Sequence, residues 1–114
     1  MKKKVTLFCM TEKGYRVLEA LALNFQQVIE CVVTSRDPSI EKDYYNEIVA
    51  FCKENDIRVH DRKTLKTVNS NYAFAISWRW LIDSSTTTLI VFHDSLLPKY
   101  RGFSPLISAL TNGD

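Results

Sequence analysis

Short apolar, β-rich runs alternate with helix-forming segments along this chain, and this alternation limits its fold more than any other feature. Residues 5–10 and 29–34 are apolar runs typical of strands buried on both faces of a sheet. Residues 57–60 form a short alternating strand that suits a sheet edge, and residues 72–77 and 88–92 are further strands. The segments between the first three strands carry apolar stripes at helical spacing, namely Tyr15, Leu18, Leu21, Ala22 and Phe25, and then Tyr45, Ile48, Val49 and Cys52.

This order predicts an α/β fold with a parallel sheet covered on both faces, because strands that alternate with helices are joined by right-handed crossovers. Thr11 is the expected cap of the first helix. A last helix is expected to begin near Ser104-Pro105 and to run to about Thr111. Residues 62–71 are weakly patterned, which fits a loop or an irregular helix. The chain reads as one domain, residues 1–114.

Composition narrows the class of partner. A net charge of +2 gives no argument for nucleic acid, and no segment reaches the roughly 18 apolar residues that a membrane helix needs. We therefore expect a cytoplasmic protein without a membrane partner. Cys9, Cys31 and Cys52 are far apart and lie in apolar stretches, which predicts buried reduced thiols rather than a zinc site or a disulfide framework.

Three segments follow predicted strands and therefore fall at the carboxyl edge of the sheet, where open parallel sheets bind ligands. Residues 11–14 form a turn with one glycine that matches neither a dinucleotide-binding nor a Walker loop. Residues 77–81 bring two tryptophans and an arginine to the end of an apolar strand, where they either line a ring pocket or anchor the core.

The third segment is the most informative. It reads His93-Asp94-Ser95-Leu96-Leu97-Pro98, followed by Tyr100-Arg101-Gly102. A histidine that ends a strand points into the crevice, and the leucine pair with proline makes a rigid apolar loop. The His-Asp pair alone does not make a metal site, and a structural histidine is the usual alternative for such a residue.

Together, these residues resemble the formyltransferase family, which includes methionyl-tRNA formyltransferase, glycinamide ribonucleotide transformylase and the sugar-nucleotide N-formyltransferases. The match comprises the His-x-Ser-Leu-Leu-Pro run, the aromatic-Arg-Gly segment, Pro105 and Asn112-Gly113-Asp114. The resemblance implies a Rossmann-like, doubly wound parallel sheet of about five strands in order 3-2-1-4-5 with flanking helices. It also implies formyl transfer from the cosubstrate 10-formyltetrahydrofolate to a primary amine.

The resemblance assigns roles residue by residue. His93 would be the catalytic histidine, donating to the tetrahedral oxyanion or to the departing nitrogen. The folate would lie against two segments, Trp78, Arg79, Trp80 and Leu81 on one side and Ser95, Leu96, Leu97 and Pro98 on the other. For the acceptor amine we expect contacts from Thr11, Gly14, Tyr100, Arg101 and Gly102.

Two departures from the family pattern bear on activity. The position two residues before His93 holds Val91, where the family has an asparagine that steadies the oxyanion. The family's aspartate lies in a later segment that this sequence does not contain. We therefore expect the chain to be the incomplete N-terminal, folate-binding part of a formyltransferase, truncated relative to the family, with little activity of its own.

Several alternatives stay open. The chain could be a non-catalytic folate-binding or interaction module, whose exposed fifth-strand edge would allow pairing with another chain or a homodimer. It could also be an unrelated doubly wound domain in which His93 is structural. For the acceptor, the first turn lacks the glycine- and serine-rich pattern expected for glycinamide ribonucleotide, and no basic domain for transfer RNA is present. A sugar nucleotide or another small amine remains, by elimination.

Overall fold

The structure, a computed structural model, describes residues 3–65 and 67–92. Its strands are β1 (Val5–Cys9), β2 (Ile29–Thr34), β3 (Val59–Asp61), β4 (Tyr72–Ile76) and β5 (Thr88–Phe92). The helices are α1 (Thr11–Phe25) and α2 (Tyr45–Glu54), and a short 3₁₀ helix, Gln26–Val28, leads into β2. The helix predicted from Ser104-Pro105 lies outside the described residues.

The strands form one parallel sheet in the order β3-β2-β1-β4-β5, which confirms the predicted fold class and strand order. β1 is central: it pairs with β2 on one side and with β4 on the other, and Cys9 lies opposite Ile76 in the β1–β4 pair. β3 and β5 are the edges of the sheet formed by the described strands. Because all the strands are parallel, their carboxyl ends lie along one side of the sheet, which we call its carboxyl edge.

Alternate side chains of β1 face two different layers. Val5, Leu7 and Cys9 belong to the main core cluster, which also contains buried residues of α1 and α2. Phe8 belongs to a smaller cluster on the opposite face, with Val68 and Trp78 from irregular segments. Right-handed crossovers require this division. The connections from β1 to β2 and from β2 to β3 cover one face of the sheet, and the connections from β3 to β4 and from β4 to β5 cover the other.

The sequence prediction holds for most elements and fails at one helix end. Residues 62–65 and 67–71 are irregular, and the three thiols, Cys9, Cys31 and Cys52, are free and buried as expected. The prediction that Thr11 caps α1 is wrong, because Met10 holds the cap position and no side chain bonds the first turn. Among the described residues, no helix is long and apolar enough to cross a membrane.

Candidate functional site

The strand order reverses between β1 and β4, and a cavity of about 620 Å³ lies where these two strands end. We call it the switch-point cavity. Thr11 contributes from the start of α1, and Ser77 from the residue after β4. Its complete lining is Thr11, Glu12, Lys13, Glu41, Lys42, Tyr44 and Ser77. The mixture of two acidic and two basic side chains suits a polar ligand better than a strongly charged one.

Left-handed backbone conformations are concentrated around this cavity. Thr11 has φ 66°, Tyr44 has φ 62° and Ser77 has φ 56°. Only one other non-glycine residue in the described ranges has a positive φ, and this residue, Asp56, follows the end of α2. Such conformations cost about 1–3 kcal/mol each and tend to occur at ligand sites, where the surrounding structure holds them.

The loop between β2 and α2 is held against the start of α1 by Asp43. The backbone oxygen of Asp43 accepts a hydrogen bond from the Thr11 N–H at 2.9 Å. Its carboxylate accepts two more, from the backbone N–H of Asp37 at 3.0 Å and of Tyr45 at 2.9 Å. Asp43 therefore fixes both the cavity wall and the entry to α2, and its backbone oxygen satisfies the N–H of Thr11, the first residue of α1.

Gly14, predicted to contact the acceptor, is buried in the first turn of α1 and is not among the residues that line the switch-point cavity. A Cβ atom at this position would lie 2.9 Å from Cys9 Cβ and 3.1 Å from the Cys9 carbonyl carbon. The glycine therefore permits close packing of α1 on β1, and this packing brings Thr11 to the end of β4.

A second cavity, of about 460 Å³, lies beyond the ends of β2 and β3. We call it the basic cavity, because Arg36, Arg62, Lys63 and Arg79 all line it. The remaining lining residues are Ser35, Asp37, Pro38, Ser39, Asp61 and Trp80. It shares no lining residue with the switch-point cavity, and the loop between β2 and α2 contributes residues to both.

Asp37 organises one wall of the basic cavity. Its carboxylate accepts hydrogen bonds from the Ser39 hydroxyl at 2.6 Å and from Arg79 Nη1 at 2.8 Å. The Ser39 hydroxyl is the largest influence that lowers the pKa of the Asp37 carboxyl, and the Arg79 guanidinium lowers it further. Asp37 is therefore a carboxylate at neutral pH, and it holds Arg79 at the cavity wall.

The predicted folate-binding segment after β4 divides between two cavities. Arg79 and Trp80 line the basic cavity, whereas Trp78 and Leu81 line a smaller one of about 120 Å³ on the opposite face of the sheet from the helices. The Trp78 ring packs edge-on against Phe8 at 5.4 Å and Trp80 at 5.1 Å. Its buried Nε1 has no hydrogen-bond partner within residues 3–65 and 67–92. Leu81 is fully exposed.

The remaining predicted site residues lie outside the described part of the chain: His93, Ser95, Leu96, Leu97, Pro98, Tyr100, Arg101 and Gly102. β5 ends at Phe92, one residue before His93. Val91 occupies the position at which the formyltransferases that this chain resembles have asparagine. It pairs with Ala75 of β4, and 54% of its surface is exposed.

Sequence reasoning did not identify Asp37, Asp43, Tyr44 or Arg62 as site residues. The available signal was position: Asp37 follows the end of β2, and Arg62 directly follows β3. The Asp-Pro-Ser sequence at 37–39 is also typical of side-chain-bonded turns.

Comparison with known proteins does not identify a family for this chain. No protein-family model matches the chain, and no solved structure matches it at a significant level. A functional assignment therefore depends on the residues and their arrangement.

Proposed function

We propose that this chain takes part in transferring a formyl group from 10-formyltetrahydrofolate to a primary amine. One observation carries the proposal. β5 lies beside β4 and ends at Phe92, and the run His93-Asp94-Ser95-Leu96-Leu97-Pro98 follows directly in the sequence. A strand order that reverses at β1 and β4, and strained residues around the cavity there, support a ligand site at the same edge of the sheet.

In the proposed reaction, the amine nitrogen attacks the formyl carbon and forms a tetrahedral oxyanion. The bond between the formyl carbon and N10 of the folate then breaks, and the proton lost by the amine is delivered to N10. His93 donates to the oxyanion or to the departing nitrogen. The products are the formylated amine and tetrahydrofolate, and no oxidant or metal takes part in this step.

Val91 makes this site slow in our proposal. Its side chain has no hydrogen-bond donor, and the loss of one oxyanion donor typically lowers the rate about 100- to 1000-fold. The acceptor we propose is a small amine such as an amino-sugar nucleotide. The mixed charges of the switch-point cavity suit a small polar molecule of this kind. The three buried, free thiols fit a protein of the reducing cytoplasm.

The test is a formyl-transfer assay of the 114-residue chain with 10-formyltetrahydrofolate and a panel of amino-sugar nucleotides. We expect slow release of tetrahydrofolate, which His93→Ala lowers at least about 100-fold. The matched control is His60→Ala, because His60 is the only other histidine and lies in β3 at the sheet edge. Equal rates for the wild type and His93→Ala would exclude the proposed catalytic role.

A non-catalytic folate-binding or interaction module is the second candidate, favoured by the exposed apolar Val91 side chain on the edge strand β5. Calorimetric titration with 5-formyltetrahydrofolate, a stable reduced folate, separates the two. Binding without transfer, in both the wild type and Val91→Asn, would favour the module. Absence of binding would exclude the folate proposals altogether.

A further inference from the structure

The basic cavity carries more positive charge than its own carboxylates can neutralise. Four cationic side chains and two carboxylates line it, which leaves a positive excess of two. Both carboxylates are already engaged. Asp37 accepts from Ser39 and Arg79, and Asp61 Oδ1 accepts from the Lys63 backbone N–H at 2.8 Å. Because Asp37 is paired with Arg79, the positive excess of two is carried by Arg36, Arg62 and Lys63 together, with Asp61 as the only other carboxylate in the lining.

Arg62 is held in place without being neutralised. Its guanidinium lies over the Trp80 ring, with 4.3 Å between the guanidinium carbon and the ring centroid. Its Nε donates to the Ser35 hydroxyl at 3.3 Å, and Ser35 is itself buried. In the part of the chain that the structure describes, the terminal nitrogens of Arg62 have no hydrogen-bond acceptor and no acidic partner. A stacked guanidinium with both terminal nitrogens available is pre-organised for a bidentate oxyanion.

Of the other three cations, Arg79 and Arg36 are engaged by neighbouring side chains, and Lys63 is available. Arg79 is paired with Asp37, whereas Arg36 lies over the Tyr45 ring at 4.4 Å and donates to Asn46 at 2.7 Å. Lys63 is exposed and has no acidic partner among the described residues. Arg62 and Lys63 are thus adjacent in sequence, line the same cavity and both remain available to a ligand.

We propose that the basic cavity binds the phosphate group of a small organic phosphate, with Arg62 as the principal contact and Lys63 as the second. A phosphate monoester carries about −1.5 to −2 charge at neutral pH, which matches the excess of two, whereas a single carboxylate does not. The volume of about 460 Å³ is much larger than one phosphate needs and leaves room for an attached organic group.

This site goes beyond formyl transfer, because it lies beyond β2 and β3 rather than at the switch point. It is compatible with the folate proposal. The resemblance places the folate against the segment that contains Arg79 and Trp80, and both residues also line the basic cavity. The two proposals use different ligands and different principal residues, His93 for formyl transfer and Arg62 for phosphate, so either can fail while the other stands.

The test is isothermal titration calorimetry of the whole 114-residue chain at low ionic strength, with ribose 5-phosphate, inorganic phosphate and succinate as separate probes. We expect ribose 5-phosphate to bind more tightly than inorganic phosphate, and succinate to bind most weakly. Arg62→Gln should weaken ribose 5-phosphate binding about tenfold or more, because it removes a charged hydrogen-bond donor. Lys63→Gln should weaken binding less and serves as a second variant, because its exposed side chain tolerates substitution.

The matched control is Arg58→Gln, which changes the net charge equally. Arg58 pairs with Glu30 at 3.3 Å and precedes β3, at the opposite edge of the sheet from the cavity. This variant should bind ribose 5-phosphate like the wild type. Three results would overturn the proposal: no saturable heat with either phosphate, equal weakening in Arg58→Gln and Arg62→Gln, or succinate binding as tight as that of ribose 5-phosphate. Circular dichroism of each variant verifies that it is folded.

Discussion

Arg79 Nη1 lies 2.8 Å from Asp37 Oδ2, and this ion pair joins the segment after β4 to the loop after β2 across the carboxyl edge of the sheet. The two side chains differ in environment, because 57% of the Arg79 side chain is exposed but only 5% of the Asp37 side chain. Asp37 is thus a buried carboxylate that an outer arginine covers. The contact connects the segment predicted to border the folate with the basic cavity, which the sequence did not indicate.

The Asp37 carboxyl predicts a specific dependence of stability on pH. Its pKa is lowered in the folded state, first by the Ser39 hydroxyl and then by Arg79. A lowered folded-state pKa contributes stability above the unfolded value of about 3.9, and this contribution is lost as the pH falls through the folded-state pKa. Ser39→Ala raises that pKa, so the free energy of unfolding should differ less between pH 7 and pH 3 than in the wild type. Urea unfolding at both pH values measures this difference.

The control for this prediction is Ser84→Ala, an exposed serine whose hydroxyl bonds no carboxylate among the described residues. It should leave the pH dependence unchanged. An unaltered pH dependence in Ser39→Ala would mean that the Ser39 hydroxyl does not set the pKa of Asp37.

Gly14→Ala is expected to destabilise the protein although alanine favours helices. The new methyl group would meet Cys9 Cβ at 2.9 Å and backbone atoms of β1 at 3.1 and 3.3 Å, so α1 must shift away from the sheet. Overpacking costs about 1–3 kcal/mol and exceeds the gain in helix propensity of about 1 kcal/mol. We expect urea unfolding to give a loss of about 1 kcal/mol. Leu23→Ala, at an exposed position of α1, should change stability by less than about 0.5 kcal/mol.

Two buried threonines are expected to respond oppositely to replacement by valine. Thr34 is fully buried, and its hydroxyl has no hydrogen-bond partner in residues 3–65 and 67–92. Thr34→Val removes this unsatisfied group and should raise the free energy of unfolding by about 1 kcal/mol. The hydroxyl of Thr6 lies within hydrogen-bond distance of the Ser70 hydroxyl, at 2.7 Å. Thr6→Val removes this hydrogen bond and should lower the free energy of unfolding by about 1 kcal/mol. Chemical denaturation of both variants checks the pair, and a loss of stability in Thr34→Val would contradict the prediction.

Val91→Asn tests the missing donor in the proposed formyl transfer. Asparagine supplies the donor that the resembling family uses, so the rate should rise about 100-fold or more. Val91 lies on the edge strand and is 54% exposed, so the substitution should cost no more than about 1 kcal/mol of stability. Val91→Leu, whose side chain branches at Cγ like that of asparagine but carries no donor, should leave the rate unchanged. A rate increase in both variants would assign the effect to side-chain size instead.

Local sequence patterns are sufficient to predict most strands and helices of the fold. The apolar runs that became β1, β2, β4 and β5 are visible because a strand buried on both faces needs apolar residues at successive positions. The bounds of the edge strand differ from the prediction, because β3 comprises Val59–Asp61 rather than residues 57–60. The start of α1 was mispredicted because Thr11 is already the first residue of the helix, where its N–H donates to the backbone oxygen of Asp43, 32 positions along the chain.

The sequence by itself determined the alternation of strands and helices, and thus the parallel sheet, because burial on a given face depends only on local periodicity. It also marked His93 and the residues after it as the chemically distinctive run. Only the tertiary structure decided which residues share a cavity. The parallel pairing of β1 with β4 brings Thr11 to Ser77, and the pairing of β2 with β3 brings Ser35 to Arg62. These neighbours are far apart in sequence, and they meet because parallel strands in register end together at one edge of the sheet.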